Sequence, residues 1–150
     1  MYWAKDRLGA QRIKGAYAWQ RLLKAGALIS AGSDCPVEKE DPLLQIYAAR
    51  TRQDTTGWPE GGWQTDQRLS GLEAAKSLTT WAAYAAFAEN RRGKIVPLYD
   101  ADLTILSRNP LVEEPQAILK TDVLTTIVGG EVVWNNKPAW KAFSRTGDTD

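Results

Sequence analysis

The chemistry open to this chain is bounded first by what it lacks, for its 150 residues include no histidine and one cysteine. Without imidazole, Ser-His-Asp and Cys-His nucleophilic catalysis are out of reach, as are histidine-based zinc and non-haem iron sites. A single thiol makes no intramolecular disulfide and no thiolate cluster. Carboxylates, lysine, tyrosine, hydroxyls and the lone Cys35 are what remain. Among these Asp34 stands out. In Ala27-Leu28-Ile29-Ser30-Ala31-Gly32-Ser33-Asp34 an apolar run with strand character halts at a glycine and then presents a carboxylate. Such a group lies at the C-terminal edge of a strand, where open α/β sheets and barrels place their chemistry. The same residue also suits a turn before Pro36, so both roles stay open.

Other candidates lie further along. Arg52 and Asp54 are loop charges that either approach a substrate or bridge each other, and Trp58 and Trp63 either shape an apolar wall or anchor their loop. Cys35 has no evident activating base and reads as a small loop residue. Gly61-Gly62 lacks the Lys-Ser/Thr signature and the preceding strand of a phosphate loop.

The elements that must hold these residues are legible from pattern. Residues 6–25 read as an amphipathic helix ended by Gly26, a left-handed C-cap that leads into a buried strand over Ala27–Ala31. Asp41-Pro42 caps a short helix running to Arg50. Ser70-Gly71-Leu72-Glu73 is a capping box opening an alanine-rich helix to Glu89, whose Trp81, Tyr84 and Phe87 read as core packing. From Gly93 the pattern turns to β. Ala101–Leu106 alternates, and Val123–Val128 with Glu131–Trp134 reads as a hairpin around Gly129-Gly130. Residues beyond Asn135 are polar and expected to be loosely held.

Composition narrows the partners. Nineteen basic and 18 acidic residues give a net charge of +1 without long like-charged blocks, so there is no electrostatic footprint for nucleic acid or an anionic membrane. A hydrophobic content of 43%, with seven tryptophans, is enough for the core of one domain. Met1–Arg7 lacks a basic region followed by an apolar run, and no stretch approaches the roughly 18 apolar residues of a membrane span. The expectation is a chain without address or anchor, cytoplasmic by default.

Several of these stretches together carry a resemblance. Gly32-Ser33-Asp34-Cys35-Pro36-Val37, Tyr47-Ala48-Ala49-Arg50-Thr51-Arg52-Gln53-Asp54, Gly61-Gly62-Trp63, Ala82-Ala83-Tyr84-Ala85, Gly93-Lys94-Ile95 with Ala101-Asp102-Leu103, and Val128-Gly129-Gly130-Glu131-Val132-Val133 occur in order. The series resembles the C-terminal part of family 3 amidohydrolases, including N-substituted formamide deformylases, over about Trp3 to Trp134. The resemblance implies an α/β chain made of the last helix-strand-helix elements of a (β/α)8 barrel plus C-terminal strands of a small composite β-sandwich. Residues 1–93 would belong to the barrel, 94–135 to the sandwich, and 136–150 to a tail. One departure is Val96-Pro97-Leu98-Tyr99-Asp100, where the family more often has a Pro-Gly-Lys turn.

The resemblance also implies a reaction, the metal-dependent hydrolysis of a non-peptide C–N bond in a small amide substrate. Asp34 matches the aspartate that ligates the metal and acts as general base toward the attacking water. Arg52, Asp54 and Trp63 fall on the substrate side. The complete enzyme would hold a divalent ion, zinc first. This chain alone, lacking the His-x-His pair and every other histidine ligand, is expected to bind none and to be inactive. The alternative is a non-catalytic module that self-associates as a homo-oligomer or complements a separate N-terminal barrel chain, since exposed strand edges and apolar faces favour association.

Overall fold

The computed structural model describes residues 2–146. Helix α1 (Tyr2–Arg12) is interrupted at Gly9, where φ is 70°, and passes into a short 3-10 turn over Ile13–Gly15 before α2 (Trp19–Lys24). The single helix expected over 6–25 is therefore broken. Gly9 and Gly15 each cost about 1 kcal/mol relative to alanine inside a helix, and the break lets Ala18 and Trp19 turn inward. The end of α2 follows the expectation: Gly26 is left-handed, its N–H donates to Leu23 O at 2.9 Å, and that of Ala27 donates to Leu22 O at 3.0 Å. This pair of bonds is the Schellman arrangement that satisfies the last carbonyls.

Helix α3 (Pro42–Thr51) is the centre of the molecule. The Asp41 side chain accepts from Leu43 N at 2.8 Å and Pro42 fills the first turn, where a missing N–H costs nothing. Leu43, Ile46, Tyr47 and Ala49 then face a core completed by Leu69, Ala74 of α4 (Gly71–Leu78) and Ile118 of α6 (Pro115–Ile118). Two polar ties fasten α3 to the later chain. The Tyr47 hydroxyl accepts from Gln116 Nε2 at 3.1 Å, and Arg50 Nη1 donates to Pro110 O and Glu113 O, both at 2.8 Å.

The Ser70 capping box forms as the spacing predicts. Ser70 Oγ accepts from Glu73 N at 3.2 Å, and Glu73 Oε2 accepts from Ser70 N at 2.7 Å and Gln20 Nε2 at 3.1 Å. Hydrogen bonding from the Ser70 backbone holds the Glu73 carboxyl below its ordinary pKa, despite partial desolvation. The helix does not run on to Glu89. It breaks at Thr79 (φ −125°, ψ −92°), resumes as α5 (Thr80–Ala85), and stops where Phe87 is left-handed. Thr79 Oγ1 donates back to Ala75 O at 2.8 Å, the local competition by which threonine weakens a helix.

The sheet is small, open and wholly antiparallel, in the order β1 (Leu103–Leu106), β2 (Val123–Val128), β3 (Glu131–Asn135). Gly129 and Gly130 both have positive φ, 58° and 86°, which the tight β2–β3 hairpin requires. β2 is the central strand and buries Leu124 and Thr125; every residue of the edge strand β3 is exposed. With the helices, this makes an α/β chain.

Three further expectations are corrected. Ala27–Ala31 forms no strand: among the described residues nothing pairs alongside it, Ala31 N bonds only to Ser77 O at 3.0 Å, and Leu28 stays 50% exposed. A strand needs ladder partners, which pattern alone does not supply. Tyr84 and Phe87 are not core but 55% and 95% exposed, because no described element covers that side of α5. Part of the expected loose tail is helix α7 (Lys137–Thr146), started by Asn136, whose Oδ1 accepts from Ala139 N at 3.3 Å. Residues 147–150 of that tail lie outside the described residues.

Candidate functional site

Asp34 follows the 27–33 segment, which is neither helix nor strand, and is exposed, with φ 54°. Its backbone carbonyl accepts from Val37 N at 2.9 Å, and Ser33 O accepts from Glu38 N at 3.2 Å, so a compact turn sets the carboxylate at the end of the segment. Of the two sequence roles the turn is formed, and the side chain is exposed; the strand whose end it would mark is not formed. Among the described residues, no group of three or more His, Cys, Asp or Glu side chains converges to hold a metal ion. Cys35 is likewise exposed.

Arg52 lies elsewhere, as the left-handed residue (φ 62°) that ends α3, and it is 6% exposed. Its guanidinium carbon sits 4.2 Å from the Trp19 ring centre and 5.0 Å from that of Trp63, and its Nε donates to Trp63 O at 3.1 Å. Tyr17 closes the cluster edge-on to Trp63, with ring centres 5.7 Å apart. The second guanidinium nitrogen, Nη2, is buried without a hydrogen-bond partner. Burial lowers the Arg52 pKa from its usual value, and the charges of Asp66 and Tyr17 oppose that shift.

Asp54 is a loop former. Its Oδ1 accepts from Thr56 N at 2.9 Å, Thr56 Oγ1 at 2.6 Å and Trp58 N at 3.1 Å, and Gln53 Nε2 braces the same loop through Gly57 O at 2.7 Å and Pro59 O at 3.0 Å. No bridge between Arg52 and Asp54 is formed; the two charges serve separate ends of the 53–63 loop. Arg68 closes that loop by donating to Gly61 O and, at 3.2 Å, to Thr51 O. The Trp19–Arg52–Trp63 stack joins Arg52, Trp63 and a residue of another helix. Trp19 was not picked out by sequence, since nothing in local periodicity marks which indole a distant arginine will meet.

The Asp34 turn and the braced tryptophan loop after α3 are the two features that carry the candidate residues. Comparisons with known proteins follow from the whole chain. Residues 1–134 match the amidohydrolase family. The chain is 36% identical over 132 residues to the putative amidohydrolase YtcJ of Bacillus subtilis (strain 168), covering 88% of this chain and 25% of that protein. It is 35% identical over 129 residues to protein LONG AFTER FAR-RED 3 of Arabidopsis thaliana, covering 85% and 22% respectively. Imidazolonepropionase of Kosmotoga olearia is 35% identical over 124 residues, covering 77% and 26%. Among solved structures, an amidohydrolase from Thermotoga maritima MSB8 superposes with a TM-score of 0.56 at 25% identity, over 86% of this chain and 29% of that one. The chain belongs to the amidohydrolase family. It spans about a quarter of the length of the curated relatives it matches.

Proposed function

We propose that this chain is the C-terminal portion of a metal-dependent amidohydrolase that hydrolyses a non-peptide C–N bond of a small amide, and that Asp34 is the carboxylate it contributes to the site. The observation that carries this reading is the family match over residues 1–134, within which Asp34 stands exposed at the end of the 27–33 segment. On this reading residues 1–93 are the end of the barrel, with Ala27–Ala31 its last strand. Residues 94–135 supply strands to the small β-sandwich. The 27–31 segment forms no strand here because its neighbouring strands would come from outside these residues.

The residues present do not fit a complete metal centre. A catalytic zinc takes about three protein ligands, whereas this chain has no histidine and, among the described residues, no group of three or more His, Cys, Asp or Glu side chains converges to hold a metal ion. The chain alone is therefore assigned no catalytic step. Within a completed site Asp34 accepts a proton from the attacking water, and Arg52, Asp54 and Trp63 fix the shape of the 53–63 loop on its substrate side.

Asp34→Asn in the assembled enzyme tests the assignment. It should lower amide hydrolysis by about 100-fold or more while far-ultraviolet circular dichroism is unchanged, the scale expected for loss of a general base. Unchanged turnover would remove Asp34 from the site.

A further inference from the structure

The break between α4 and α5 takes helical donors away from the carbonyls before it, and one of those carbonyls is put to use. In an unbroken helix Ser77 O would accept from Trp81 N, four residues on. With the chain turned at Thr79, Ser77 O accepts instead from Ala31 N at 3.0 Å. Ser77 is 2% exposed and its Oγ donates to Ala74 O at 2.7 Å, so this acceptor is buried and fixed in place.

The break has a side-chain cause. Thr79 Oγ1 donates to Ala75 O at 2.8 Å, the carbonyl that Thr79 N would use in a continuing helix. Thr79 N turns to Lys76 O at 3.2 Å, a tighter turn that ends α4. The hydroxyl thus takes the place of the backbone donor, and the helix restarts one residue later as α5.

Ala31 stands three residues before Asp34. The other bonds of this stretch are local: Val37 N donates to Asp34 O at 2.9 Å and Glu38 N to Ser33 O at 3.2 Å, both inside the turn itself. Among the described residues, the bond from Ala31 N to Ser77 O is the hydrogen bond that ties residues 28–34 to the helices.

We propose that the helix break at Thr79 positions Asp34, by freeing Ser77 O to hold Ala31, and that Thr79 is a positioning residue for this carboxylate. The inference rests on the reading of Asp34 given above. A carboxylate that takes a proton from an attacking water must lie within hydrogen-bond reach of it, so a shift of about 1 Å slows turnover more than it weakens substrate binding.

Thr79→Ala removes the competing hydroxyl and raises helix propensity, so α4 and α5 should join and Trp81 N should reclaim Ser77 O. Thr79→Ser keeps the hydroxyl. In the 150-residue chain, amide hydrogen exchange read by nuclear magnetic resonance should show Ala31 exchanging about 10-fold faster in Thr79→Ala, with the amides of α3 unchanged and Thr79→Ser close to the unaltered chain. In the assembled enzyme Thr79→Ala should lower kcat about 10-fold with KM little changed, and should add nothing to the loss caused by Asp34→Asn. Unchanged exchange at Ala31 overturns the proposal, as does Thr79→Ser behaving like Thr79→Ala. Faster exchange without loss of turnover, or a loss that adds fully to that of Asp34→Asn, overturns it as well. Each of these results leaves the assignment of Asp34 standing. That assignment fails separately, and takes this proposal with it, if Asp34→Asn alone leaves turnover unchanged.

Discussion

Replacing Arg52 in two different ways separates what its charge contributes from what its bulk contributes. The guanidinium lies between Trp19 and Trp63 at 4.2 and 5.0 Å and bonds Trp63 O at 3.1 Å, yet Nη2 is buried with no partner. Each ring contact stabilises by about 1–2 kcal/mol in a desolvated setting, and the charged hydrogen bond by about 1.5 kcal/mol or more. Against this stands the cost of burying a cation with an unsatisfied N–H, about 1–3 kcal/mol. Arg52→Ala loses the favourable terms and also leaves a void between two indoles, so a net loss of about 2–4 kcal/mol is expected. Arg52→Met fills much of the same space and removes the unpaired donor, so it should lie within about 1 kcal/mol of the unaltered chain. Urea unfolding, followed by circular dichroism and by the fluorescence of Trp19 and Trp63, measures both. The reasoning is refuted if Arg52→Ala is nearly neutral, or if Arg52→Met is as costly as Arg52→Ala.

Other perturbations follow from single contacts. The Glu73 carboxyl has a folded pKa below its unfolded value, so its contribution is present above the unfolded pKa and is lost as pH falls through the folded one. Stability should decline between about pH 5 and pH 3 by an amount that Glu73→Gln removes, read from urea midpoints across that range. Gly71→Ala places a Cβ against the Leu111 backbone and should destabilise by about 1–3 kcal/mol in the same assay; a neutral result would mean that the 110–113 loop moves freely away from α4.

Much of the local structure was legible because its causes are local. Asp41-Pro42 opening α3, the Ser70–Glu73 box, the left-handed Gly26 and the glycine hairpin turn each depend on residues a few positions apart, and each forms as the pattern indicates. What sequence missed is decided by partners. Ala27–Ala31 has strand composition but no ladder, and Tyr84 and Phe87 have helix-face spacing but nothing packed over them. Periodicity names the apolar face of an element, not the element that covers it. The same limit holds for the site. Asp34 was singled out from a strand-like run and its terminal carboxylate. The Arg52 stack was not, because its members meet only when α2, the end of α3 and the tryptophan loop come together.

On the proposed reading, Asp34 is one part of a metal site whose other ligands lie outside this chain. Elemental analysis of the purified 150-residue chain after equilibration with zinc, run beside an amide-hydrolysis assay, tests it most directly. No stoichiometric zinc and no hydrolysis are expected. One tightly bound zinc per chain together with amide turnover would contradict it.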